Sequence, residues 1–188
     1  MSENYDKLIS TLGYNQLWFD NGLLTHELLV AQYQTLLHSD DQHTEHYRYG
    51  ALRHYLNSRT HLTDEELRGY FQVVLAEQDS MMGGAAAKDL FTDISLTDQQ
   101  FAEACEKLDG FPGDWTTTIR LRHLLLRRLG AGVPNDALFE ECLTHGDTVV
   151  QKVLLEVCDV SQLLALAGSG STLSIRNMAA QKLKKHSR

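Results

Sequence analysis

The segment Leu62-Thr63-Asp64-Glu65-Glu66-Leu67 returns 34 residues later as Leu96-Thr97-Asp98-Gln99-Gln100-Phe101, and each copy opens an amphipathic stretch. A period in this range means that one supersecondary unit is copied and stacked, each copy hiding its apolar face against its neighbours. The apolar positions agree. Ala51, Ala86 and Leu121 are spaced by 35 and 35, as are Leu56, Phe91 and Leu126. In the second helix of each unit, Leu67 with Phe71, Phe101 with Cys105 and Leu138 with Cys142 recur at i and i+4, on one helical side. A weaker copy starts at Leu24, so residues 1–22 read as a capping helix and 23–185 as helical repeats within a single domain, 1–188. The spacing contracts towards the end, with Val153 and Val157 and then Ala179 and Leu183 as the last stacking positions.

Only two prolines, Pro112 and Pro134, interrupt the chain, and alternating β-branched runs are scarce, so the expected class is all-α. Thr63 with Glu66, and Thr97 with Gln100, have the spacing of a capping box, in which a threonine hydroxyl and the N3 side chain satisfy free amides at a helix start. Breaks fall at Asn21-Gly22, at 109–113, at 130–134 and at 168–171. The pattern predicts eleven helices: 4–19, 25–38, 43–57, 64–78, 81–93, 98–109, 115–129, 135–145, 148–157, 160–167 and 172–185. Ala51, Ala86, Leu121, Leu56, Phe91, Leu126, Leu67, Phe71, Phe101, Cys105, Leu138, Cys142 and Leu183 should be mostly buried.

The run Ile175-Arg176-Asn177-Met178-Ala179-Ala180-Gln181-Lys182-Leu183 looks like the V-R-x-x-A-x-x-x-L core of HEAT-like helical repeats, and residues 24–185 resemble that family. The resemblance implies an α-solenoid of antiparallel helix pairs in a right-handed superhelix. One departure is that Val149 and Val150 take the place of the V-R pair in the preceding unit. Architecture of this kind does not specify an activity.

Charge is the most informative functional property. The net value is −8, and residues 1–100 hold 15 acids against 6 Lys or Arg. Such a field disfavours phosphate backbones and favours basic partners. On the second helices, Glu65, Glu66, Gln99, Gln100, Glu103, Glu106, Glu140 and Glu141 are expected to form one acidic, concave stripe. The expected function is therefore a non-enzymatic module that binds a basic partner protein, as an inhibitor or immunity protein does. Failing that stripe, the aromatic segment with Tyr14, Trp18 and Phe19 is the next interaction surface.

Other chemistry is weaker. Arg120, Arg122, Arg127 and Arg128 with Lys182, Lys184, Lys185 and Arg188 form basic patches, which leaves a nucleic-acid-binding or base-repair role, known among HEAT-like glycosylases, as the alternative. A role like that of the phycobilin-attaching HEAT-like proteins has no residue set behind it. His43 and His46 stand at i and i+3 beside Asp40 and Asp41, but spacing fixes no third ligand, so no metal is expected. The run 168–172 lacks the lysine of a phosphate loop and reads as a flexible connection. Cys105, Cys142 and Cys158 read as core thiols, and no catalytic constellation or cofactor is expected. The first six residues lack a signal peptide's basic and apolar segments, and no stretch can span a bilayer, so a cytoplasmic location without membrane contact is expected.

Overall fold

The computed structural model describes residues 2–130 and 132–186, with side chains from Tyr5 onward. Among them it is 76% helical and has no strand. Met1, Ala131 of the 130–134 break, and Arg188 of the basic patch lie outside the described residues. No described helix is long and apolar enough to cross a membrane. The chain divides into two compact units, Met1–Gly113 and Asp114–Arg188.

The first unit contains α1 (Ser2–Leu12), α2 (Gln16–Asp20), α3 (His26–His38), α4 (Thr44–Asn57), α5 (Asp64–Leu75), α6 (Ser80–Asp93) and α7 (Asp98–Lys107), then a 3-10 turn, Leu108–Gly110. Helix α4 packs on α6, and α5 packs on both α6 and α7. The second contains α8 (Trp115–Leu129), α9 (Asp136–His145), α10 (Thr148–Val157), α11 (Val160–Ser169) and α12 (Leu173–His186). There α10 packs on α8 and α12, and α11 packs on α9 and α12. Within each unit, then, helices pack both on a neighbour and on a helix two further along.

Both predicted capping boxes form. Glu66 N donates to Thr63 Oγ1 (3.1 Å) while Thr63 N donates to Glu66 Oε2 (2.8 Å). Gln100 N and Thr97 Oγ1 make the second box at 3.2 Å, with Thr97 N on Gln100 Oε1 at 3.1 Å. Asp159 and Gln162 make a third at the start of α11. Of the thirteen expected core residues, seven are buried and the other six, Leu121, Leu126, Phe101, Cys105, Leu138 and Leu183, are half-buried. None of the thirteen is exposed.

Three expectations need correction. The helix expected over 4–19 is broken at Gly13, which adopts φ +72°. A Cβ there would come within 2.6 Å of Arg48 Nη1, and Asn15 restarts the chain by capping α2. In α10 the register is one residue later than expected. Val150 and Leu154 are buried, whereas Val149 and Val153 are exposed. Gln151 is consequently turned inward, donating to the carbonyls of Leu143 (3.0 Å) and Gly146 (3.2 Å) and accepting from Ser171 N (2.8 Å). The 168–171 connection is held rather than loose, because α11 runs through Ser169 and Arg176 Nη1 donates to the Gly170 carbonyl at 2.7 Å.

Arg48 in α4 and Arg176 in α12 each stand three residues before a buried alanine, but Arg48 reaches much further. Its guanidinium is buried in an ion pair with Glu77 at 2.9 Å, the side chains being 8% and 4% exposed. It also donates to the Leu12 carbonyl (2.9 Å) and Thr44 Oγ1 (3.1 Å). Beside it, Tyr14 OH donates to Gln32 Oε1 at 2.5 Å, and Gln32 Nε2 donates to the Tyr47 carbonyl at 2.7 Å. Burial pushes the Tyr14 phenol far up, so it remains a donor. The network fastens α1, α3, α4 and the segment after α5 to one another.

Acids at the helix starts tie stability to pH. The Thr63 amide holds Glu66 below the usual carboxylate range, and the Gln162 amide does the same for Asp159. A carboxyl whose folded pKa is depressed contributes stability that is present above its unfolded pKa, about 4, and is lost as pH falls through the lower folded value. The melting temperature should therefore drop on acidification below about pH 4. Asp159→Asn, which keeps the cap but cannot take up the proton, should make that drop shallower. An unchanged acid limb in this variant would contradict the assignment.

Candidate functional site

Residues Glu65 and Gln99 occupy the second position of α5 and α7, where a side chain leans away from the core, and both are exposed. On α7, Gln99, Glu103 and Glu106 follow at i, i+4 and i+7 and so share one side of the helix. Glu106 is exposed, and Glu103 is half-buried because it reaches Arg68 of α5 at 3.8 Å. Glu66 is turned back into its capping box and meets Arg59 Nε at 3.4 Å; that guanidinium in turn lies 3.8 Å over the Tyr55 ring. These residues form an acidic surface on the first unit, moderated by two arginines.

Gln100 does not belong to it. The structure buries this residue, and its Nε2 donates to the Leu62 carbonyl (2.9 Å) and to Asp64 Oδ1 (2.8 Å) at the start of α5. Gln162 does the same in the second unit, donating to the Pro134 carbonyl at 2.8 Å. Leu62 and Pro134 each immediately precede the N-cap residue of the helix below. A glutamine at N3 thus closes its own box with its oxygen and holds the start of an earlier helix with its nitrogen. The N3 position alone suggested a solvent-facing amide; the second bond is made to a distant residue, beyond the reach of a local motif.

Glu140 and Glu141 lie on α9, in the second unit. Glu140 is exposed, and Glu141 pairs with Arg128 at 2.7 Å. The basic residues of this unit are largely engaged internally. Arg122 Nε contacts Asp147 Oδ2 at 2.5 Å, and Lys182 Nζ donates to the Leu155 carbonyl (3.0 Å) and meets Glu156 at 2.6 Å. Lys184 and Lys185 occupy the last turn of α12, where cations complement the helix dipole.

The aromatic segment is core rather than surface. Tyr14 and Trp18 are buried with their rings edge-on at 4.8 Å, and half-buried Phe19 meets Tyr5 at 5.6 Å. His43 and His46 pair separately with Glu45 (3.0 Å) and Asp41 (2.7 Å). No three His, Cys, Asp or Glu side chains among the described residues come together as a metal site. The thiols of Cys142 and Cys158 are both raised by burial, Cys158 to about 12, which makes them poor nucleophiles. Compared with protein-family models, curated proteins and solved structures, the chain matches none of them.

Proposed function

We propose that the chain is a non-enzymatic protein-binding module of the HEAT-like, α-solenoid kind, whose N-terminal unit takes a partner protein with a basic surface, in the manner of an inhibitor or immunity protein. The observation that carries this reading is that charge segregates along the same boundary as the fold. Met1–Gly113 holds 18 Asp or Glu against 7 Lys or Arg, net −11, whereas Asp114–Arg188 holds 7 against 10, net +3. A field of that sign accelerates encounter with a cationic surface and selects against acidic competitors. The contact residues of this reading are Glu65, Gln99, Glu103 and Glu106. The repeat assignment is supported by the recurring packing of each helix on the helix two further along, and by the two glutamine clamps. The nucleic-acid alternative draws on the second unit, but Arg122, Arg128 and Lys182 are already paired there.

The test is co-purification from native extract at low ionic strength, with bound species identified by mass spectrometry. A basic protein released as salt rises is the expected result, since screening shortens the reach of surface charge. Retention of nothing at low salt, or of an acidic protein held regardless of salt, would overturn the proposal.

A further inference from the structure

At the starts of α4 and α6 the first unit opens into a cleft of about 260 Å³, lined by Glu45, His46 and Tyr49 on one side and Asp79, Met81, Met82 and Ala85 on the other. Two features distinguish it from an ordinary seam between helices. The first is Met81, 84% exposed and hence nearly irrelevant to the core, beside Met82, which is buried and forms the floor. Methionine is flexible and polarisable, suited to moulding around a guest. The second is the charge at the rim. Glu45 and Asp79 are both carboxylates; one oxygen of Glu45 meets His43 Nδ1 at 3.0 Å and one oxygen of Asp79 caps α6 on the Met81 and Met82 amides, and the charge of His46 is offset by Asp41. Helix starts contribute about half a positive charge each, which a full carboxylate at each more than offsets. The Arg48 guanidinium behind the wall is matched by Glu77, and Arg53 and Tyr49 are matched by Asp89. The Glu45 carboxyl is held below its ordinary range, first by its own backbone amide and further by His43, so it stays ionised at neutral pH.

We infer that this cleft is the receptor for one arginine or lysine side chain of the basic partner: the methylene stem lies along Met81 and Tyr49 and the cation reaches Glu45 and Asp79. Long cationic side chains bind in this divided way, with an apolar stem and a charged head. A cleft of this size leaves room for a side chain but not for a folded element. The inference rests on the basic-partner reading and deepens it by naming where the partner is gripped.

The test uses the full chain with carbon-13 methyl-labelled methionine, titrated with an acetylated hexa-arginine amide and, separately, with its neutral hexa-citrulline counterpart. Calorimetry follows total binding in parallel. The Met81 and Met82 methyl signals should shift saturably with the arginine peptide and hardly at all with citrulline, while Met178 in the second unit stays still. Glu45→Gln should weaken the methyl-detected affinity by up to about fivefold, the scale of an exposed charge pair. Met81→Ser, at a position the core does not use, should weaken it without lowering the melting temperature. If calorimetry shows hexa-arginine binding while both methyls stay still, the cleft is overturned and the basic-partner reading survives. No binding by either readout overturns both. Equal shifts with citrulline would show a plain apolar contact and overturn the cationic assignment.

Discussion

Replacing Glu77 by alanine is expected to cost about 3–5 kcal/mol, because it strips the partner from an arginine that is itself buried. For a chain of this size that corresponds to a fall in melting temperature of about 10 °C or more. The loss arises less from the attraction removed than from the guanidinium left without its counter-charge in a low-dielectric setting. A double replacement, Arg48→Met with Glu77→Leu, should recover much of the stability, since apolar groups of similar volume often substitute for a buried pair. Recovery will be incomplete because the Leu12 carbonyl loses its donor. If Glu77→Ala costs less than about 1 kcal/mol, the pair behaves as a solvated one and its assignment as a buried clasp is wrong.

Phe71→Ala is expected to cost about 3–5 kcal/mol for a different reason. This ring is 1% exposed in α5 and lies edge-on to Tyr70, with centroids 6.3 Å apart. Helix α5 packs against both α6 and α7, so a cavity there touches several elements at once, and stiff neighbours cannot collapse to fill it. Denaturant unfolding should show a lowered midpoint with little change in slope. A loss under about 1.5 kcal/mol would mean that the site repacks freely.

These two residues differ in how visible they are in the amino-acid sequence. Phe71 announces itself by the i, i+4 pairing with Leu67 and by the similar pair 34 residues on, because burial of one helix side leaves a periodic trace. The capping boxes at Thr63 and Thr97 are equally legible, being closed within four residues. Arg48 and Glu77 are 29 residues apart and belong to no local pattern. A usable signal did exist: Arg48 precedes Ala51 by the spacing with which Arg176 precedes Ala179. The shift in α10 has a simple cause, since Val149, Val150, Val153 and Leu154 permit two registers and only the polar Gln151 distinguishes them. Gly13 is hidden inside a run whose apolar period continues across it, and Gln100 because its decisive bond goes to a residue 38 positions away. At the candidate site, acidity is legible from composition, but its division is not. Which carboxylates face solvent and which are turned onto Arg59, Arg68 or Arg128 is decided by tertiary neighbours.

Charge reversal on the acidic surface of the first unit asks whether that surface holds the partner. Glu65, Glu103 and Glu106 are changed together to lysine in the full chain, and affinity for the co-purified basic partner is measured across a salt series beside the thermal melt. Fold stability should change little, since Glu65 and Glu106 are exposed and the Glu103 contact with Arg68 is long at 3.8 Å. Affinity should fall at least tenfold at low salt, and its dependence on salt should flatten, as three attractive charges become repulsive. Unchanged affinity with an unchanged melt would contradict the account, leaving those carboxylates as a solubilising surface only.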